Sequence, residues 1–394
     1  MKHKFLDLGR QPITNSFLTM DDLGDEYFYN LAVQFDDKTK LVSLVNCVDP
    51  DRMFNDTYAH RASMSKTMRD SFKKVAEDLD ARYKPKIVLE IGSNDGVFIK
   101  NFNSTKVIAV EPCANLAEKT NKMGYVTYPE YWTRKLADDI LKTYGEVDIV
   151  YSANTICHIE DLTEIFDAVH DVLSDNGVFV FEDPYLLDVI NNTSYDQFYD
   201  EHVHIFSVIA LDNILRKSGL RIIEVEHLKT HGGSNRICAT KTSNDLKEDI
   251  SVSVNMNWEL EVGLDNIKVY KTFAQRVAKS KKYLVMLLAD LKEQRKKIVS
   301  YGATYKSATV FNYCGIGTNF IDYVTDTTPN KQGKLTPGMH IPIISPEDGF
   351  NDTVDYAYLG AWNFVKEITA NESEFVKRGG KFITHVPKVH IIGE

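Results

Sequence analysis

Much is missing from this chain of 394 residues. No run of about eighteen apolar residues occurs, so no membrane-spanning helix is expected. There is no positive surplus: 46 Lys and Arg stand against 56 Asp and Glu, a net charge of −10. That balance disfavours a nucleic-acid backbone as partner. The opening residues, MKHKFLDLGRQP, lack the apolar stretch of a secretory signal. No CxxC pair exists, and the five cysteines (Cys47, Cys113, Cys157, Cys238 and Cys314) are scattered. This suits a reducing compartment and fits neither a disulfide frame nor a zinc knuckle. A soluble cytoplasmic protein with no membrane and no nucleic-acid partner is expected.

What is present is enough sequence for more than one core. The first 60 residues look irregular, with short strand-like pieces such as KLVSLV and a turn at VDPDR. In SMSKTMRDSFKKVAEDLDARY, apolar residues recur at three and four, which predicts a helix. Strand and helix then alternate through KIVLEIG, KVIAVEP, VDIVYSA and GVFVFEDP, the rhythm of a parallel sheet covered on both faces. LRIIEVEHLKTHGGSNRICATK reads as a hairpin closing that sheet. A charged amphipathic helical region follows, and the rhythm restarts at IVSYGA. The expected fold is therefore α/β: a small unit at 1–62, a Rossmann-like domain at 63–245, a helical connector at 246–298 and a second Rossmann-like domain at 299–394.

Three motifs carry chemistry. VLEIGSNDG joins a strand to a helix, with Gly92 and Gly96 allowing close backbone approach and Glu111 ending the next strand. An NAD fingerprint wants glycine where Asn94 and Val97 stand. An acidic residue two before the first glycine, here Glu90, suits the positively charged end of S-adenosylmethionine instead. Pro112, Asn154 and His158 follow later strand ends, in the crevice where α/β sheets bind ligands. QFYDEHVHIFS packs Tyr199, Glu201, His202 and His204 together. Of these, His204 is read as a residue that holds the loop by hydrogen bonds. SYGATYKSATVFNY opens the second domain with a glycine turn and Lys306, and DTTPNKQGKLTPGMHIPI adds Lys331 and His340 as candidates for an anion.

These pieces, with FEDPYL, HGGSNR and LDLGRQPITNSFL, resemble the S-adenosylmethionine-dependent sugar C-methyltransferases over nearly the whole chain. The resemblance implies a small amino-terminal domain, a class I methyltransferase domain and a C-terminal Rossmann-like domain, with a nucleotide-linked keto-deoxysugar between them. It implies His202 as general base with Glu201 assisting, and Tyr199 and Tyr58 near the sugar. His60 stands where relatives often carry a second tyrosine. Tyr185 and His231 are further candidates for the sugar pocket, His231 as a donor to the oxyanion. The family's amino-terminal domain usually holds zinc through four cysteines. FYNLAVQFDDKTKLVSLVN, at the matching place, has none, so no metal is expected there. Two other readings compete: methyl transfer to oxygen or nitrogen of another sugar-derived acceptor, and a non-catalytic nucleoside-binding protein. Oligomeric state is open.

Overall fold

The computed structural model describes residues 1–55, 58, 61–102 and 105–393. Three sheets organise them. The first is antiparallel and runs Lys2–Pro12, Phe28–Asp36, Val42–Leu44, His204–Ile205. Residues read as irregular thus form regular strands. Lys2–Pro12 carries too many charges to look like a strand, yet its register against Phe28–Asp36 buries Leu6 and Leu8. Pro50–Met53, read as a turn, is a short helix capped by Asp49.

The second sheet has seven strands, in the order Leu220–Leu228, Ser234–Lys241, Leu173–Pro184, Val147–Ala153, Ile87–Ile91, Lys106–Val110, Val126–Tyr128. Ser234–Lys241 is antiparallel to both neighbours, and the predicted hairpin is what inserts it. The central strands are buried on both faces, as their largely apolar composition requires. Helix Lys66–Tyr83 starts at Ser65, whose side chain accepts from the Met68 N–H, and it buries Phe72, Val75 and Leu79.

Residues 250–293 are helices Ile250–Val262 and Ile267–Glu293. The third sheet then runs Ile343–Ile344, Val324–Thr325, Ile298–Tyr301, Tyr356–Leu359, Lys381–Thr384, His390–Ile392, parallel except for its last strand. Its first strand leads through Gly302 into helix Tyr305–Cys314, capped by Thr304. No described helix is long and apolar enough to cross a membrane.

Candidate active site

The QFYDEHVHIFS segment is buried because each unit of the protein holds part of it. Asp200 accepts from the backbone N–H and hydroxyl of Thr14, the latter at 2.6 Å. The Val203 carbonyl accepts from Leu44 N, and His204–Ile205 completes the amino-terminal sheet. On the other side, the Gln197 amide donates to the His231 carbonyl at 2.6 Å. The Thr309 hydroxyl of the C-terminal helix donates to the Phe198 carbonyl. With these anchors satisfied, most of a polar segment can be buried.

Within it His202 has one defined arrangement. Its Nδ1 lies 2.7 Å from the Gln197 carbonyl, which only accepts, so Nδ1 carries the hydrogen. Nε2 is then the lone-pair nitrogen and receives the Tyr199 hydroxyl at 2.7 Å. Burial first, and His158 next, press the imidazole pKa well below its ordinary range. His202 is neutral. This corrects one expectation: Glu201 does not set the tautomer of its neighbour. The Gln197 carbonyl does, because the chain turns between residues 201 and 202 and sends Glu201 toward Tyr58, whose hydroxyl donates to it at 3.2 Å.

His202 forms part of the wall of a cavity of about 620 Å³ lined by the seven-stranded and C-terminal sheets and by Asn15, Cys47 and Phe54 of the amino-terminal unit. Tyr58, Glu90, Gly92, Asn94, Glu111, Pro112, Asn154, His158, Tyr199, Glu201, His231, Lys306 and Lys331 line it as well. Gly92 has φ +76°, and a Cβ there would strike the Thr155 side chain. The Glu111 carboxylate accepts from Asn94 N at 2.7 Å and Cys113 N at 3.0 Å, which fixes it across the loop. Glu90 is buried, and its Oε2 has no hydrogen-bond partner among the described residues. His158 stacks between Phe54 and His202, with ring centroids 5.6 and 5.5 Å away.

Three expected residues among those described do not join the cavity wall. Tyr185 is 2% exposed and packs edge-on against His227, its backbone N–H donating to the Gly233 carbonyl and its chain bridged to Phe206, which hold it in the core. His340 is tied at 2.7 Å to Glu26 and links the C-terminal loop to the amino-terminal unit. Gly96 faces Thr120, serving the turn and not the ligand. His60 lies outside the described residues.

The candidate anion ligands are already engaged. Lys306 is buried, donates to the His231 carbonyl at 3.0 Å and lies over Trp362. Desolvation lowers its pKa to about 8, and Asp196 opposes that. Lys331 donates to the Ala303 carbonyl and lies 3.5 Å from Asp326.

Several site residues were not foreseen. Asp326 ends the second strand of the C-terminal sheet and accepts from Ala303 N at 2.9 Å and Thr328 N at 2.8 Å, a counterpart of Glu111. The acid after VT was a usable signal. Tyr305 stacks on Tyr199 with centroids 5.4 Å apart and shares a hydrogen bond with Tyr58. No sequence signal placed it there. Donor atoms of Cys157, His158 and His202 lie within 4.8 Å of one another. However, both His202 nitrogens are used, and the Cys157 thiol is bonded to Asp183.

His204 gives a stability prediction. Its Nε2 is 3.3 Å from the Glu160 carbonyl, and burial lowers its pKa from 6.5 to about 4. The unfolded chain therefore binds the proton more readily than the folded one. Above pH 6.5 neither state is charged; as pH falls from 6.5 to 4, stability is lost, toward a limit of about 3 kcal/mol. In His204→Gln, urea midpoints recorded across this window are expected to show a shallower acid decline than wild type. An identical slope would remove His204 from the account.

The seven-strand order with its inverted strand, the glycine turn and the carboxylate after the second strand define a class I S-adenosylmethionine-dependent methyltransferase. The residues suit that cofactor: the unpartnered Glu90 oxygen for the charged end, and Glu111 for a ribose diol. Family models for a putative zinc binding domain, a methyltransferase domain and a C-methyltransferase C-terminal domain match residues 1–54, 58–225 and 229–387. The chain is 30% identical to C-methyltransferase NovU of Streptomyces niveus, over 98% of this chain and 93% of that one. The chain belongs to the C-methyltransferase family. Among solved structures, a S-adenosylmethionine-dependent methyltransferase from Clostridium acetobutylicum is 14% identical, covering 44% of this chain and 92% of its own, with a TM-score of 0.35. Magnesium protoporphyrin IX methyltransferase from Synechocystis with bound S-adenosylmethionine is 11% identical over 44% of this chain and 79% of its own, with a TM-score of 0.34.

Proposed function

We propose that the protein methylates a carbon of a nucleotide-linked keto-deoxysugar, with His202 removing the proton next to the ketone. The observation that carries this reading is the state of His202: neutral, tautomer fixed by a carbonyl, lone pair directed to a hydroxyl on the wall of a shared cavity. Carbon becomes a nucleophile only after losing a proton, and an uncharged imidazole is suited to take it. S-adenosylmethionine supplies an electrophilic methyl group when bound. The chain's residues do the rest. Glu90, Gly92 and Glu111 form the cofactor crevice, Tyr58 and Tyr199 offer hydroxyls to the sugar, and His231 closes its side of the cavity. The C-terminal crevice, with Gly302, helix Tyr305–Cys314, Asp326 and Lys331, suits a nucleotide, its helix start favouring a pyrophosphate.

The test is a panel of nucleoside-diphosphate keto-deoxyhexoses in deuterium oxide, followed by mass spectrometry. One sugar should gain a methyl group with S-adenosylmethionine, and should take up deuterium at the neighbouring carbon when S-adenosylhomocysteine replaces it. Methyl gain on oxygen or nitrogen without exchange would overturn the carbon-acid route.

A further inference from the structure

We propose that Glu201 acts in this reaction as an acid, donating a hydrogen bond from its protonated carboxyl group to the sugar's carbonyl oxygen as charge develops there. This rests on the ketosugar reading above and assigns a group to the second half of its chemistry.

Geometry separates Glu201 from the base. Both nitrogens of His202 are engaged, by the Gln197 carbonyl and the Tyr199 hydroxyl, so neither is left for Glu201. Glu201 lies on the cavity wall, 2% exposed. Its Oε2 receives the Tyr58 hydroxyl, while its Oε1 has no hydrogen-bond partner among the described residues. The Tyr58 contact therefore reserves one oxygen and leaves the other for a ligand.

The surroundings also decide its charge. Among the described residues, the groups that act on Glu201, or are acted on by it, are Tyr58, Tyr199, Tyr305, Cys113, Cys157 and Asp200, none of them a cation. Nearby cations are directed elsewhere: Arg61 donates to the Tyr58 carbonyl and acts on Glu111, and Lys306 faces Asp196. Burial first, and Asp200 next, hold the Glu201 carboxyl above its ordinary range. A buried carboxylate without a counter-ion is unfavourable, and neutral carboxylic acids kept so by burial serve as oxyanion donors.

The electron count closes with the residues present. As the Tyr199 hydroxyl gives up its bond to His202 Nε2, the carbon's proton passes to that nitrogen, and the C–H pair becomes the enolate, whose oxygen accepts a hydrogen bond from the Glu201 O–H. The pair then forms the new bond to the methyl carbon, whose former bonding pair would stay on the sulfur of the departing S-adenosylhomocysteine; the carbonyl re-forms, the hydrogen bond relaxes, and the imidazolium returns its proton to solvent. Base and acid thus stand on adjacent residues with their side chains turned apart.

The test compares Glu201→Gln and Glu201→Ala in the full chain, using the same keto-deoxyhexose panel, with S-adenosylmethionine affinity as the check on folding. An amide still donates but cannot ionise. Glu201→Gln is expected to keep activity within about tenfold of wild type and to lose the alkaline decline of the pH profile. Glu201→Ala should fall by about 10² in kcat. Infrared difference spectra of the free protein, titrated from neutral to alkaline pH, should show a protonated carboxyl band that is missing from Glu201→Gln. Equal losses in the two variants, or a carboxylate already ionised at neutral pH, would overturn the proposal. If the wild-type chain methylates no ketosugar, the substrate reading falls and the carbonyl contact falls with it. The infrared band, which needs no substrate, would still report the carboxyl's charge.

Discussion

His202→Asn is expected to bind S-adenosylmethionine with wild-type affinity and to transfer methyl groups about 10³-fold more slowly, within the range that general-base catalysis supplies. Asparagine approximates the ring's size and can donate to the Gln197 carbonyl as Nδ1 does, so the turn holding the segment should survive. What it lacks is a basic nitrogen facing Tyr199. Isothermal titration with the cofactor and single-turnover kinetics separate the two effects. Near-normal turnover with intact cofactor binding would mean that another group takes the proton. Loss of cofactor affinity alongside the rate would point to a structural role, since His158 lies between His202 and Phe54.

The second large effect is on stability. Asp196 is fully buried where the segment Tyr195–Ile205 meets the C-terminal unit. The Trp362 indole donates to it at 2.6 Å, His385 lies 3.5 Å away, and Lys306 adds its charge. His385 is held in turn by the Tyr358 hydroxyl at 2.9 Å. Despite burial, these partners keep the Asp196 carboxyl below its ordinary range. Asp196→Ala leaves a buried lysine without its counter-charge and an indole N–H without its acceptor, a loss of about 3–5 kcal/mol. Urea denaturation at neutral pH measures it. Because the lysine is the costly remnant, Asp196→Ala combined with Lys306→Met should recover part of the loss. A double variant no better than the single would show that the indole and His385 dominate.

The two predictions share an origin in how the segment from Tyr195 to Ile205 is held. Asp196 answers the C-terminal unit, Asp200 answers Thr14 of the amino-terminal unit, and the residues between face the cavity. Its polarity, which marks it out in the sequence, does two jobs: alternate carboxylates anchor the chain, and His202 with Glu201 faces the ligand.

Local pattern made a large part of this legible. The largely apolar stretches Ile87–Ile91 and Val147–Ala153 specify buried parallel strands because period and length are properties of a few adjacent residues. The loop from Gly92, its acid Glu90 and the carboxylate Glu111 could be read because a glycine turn and a strand end are local features. Family motifs added His202 and Tyr199. Errors arose where distant chain decides a residue's environment. Lys2–Pro12 becomes a strand only because Phe28–Asp36 supplies its ladder. His340 faces Glu26 and not the cavity, a pairing across most of the chain length.

The amino-acid sequence alone therefore determined the class of fold, the glycine turn with its flanking acids and the short segment that holds His202, since each is written in residues within a few positions of one another. Tertiary structure decided what each side chain of that segment does. Whether Glu201 serves His202 or the cavity, which carbonyl sets the tautomer, and that Tyr305 reaches Tyr199 depend on how three separately formed units close on one cavity. Burial and the charges brought near by that closure set most of the protonation at the site; Asp200 beside Glu201 is a contribution from the adjacent residue, and the burial that outweighs it is not encoded by neighbours in sequence.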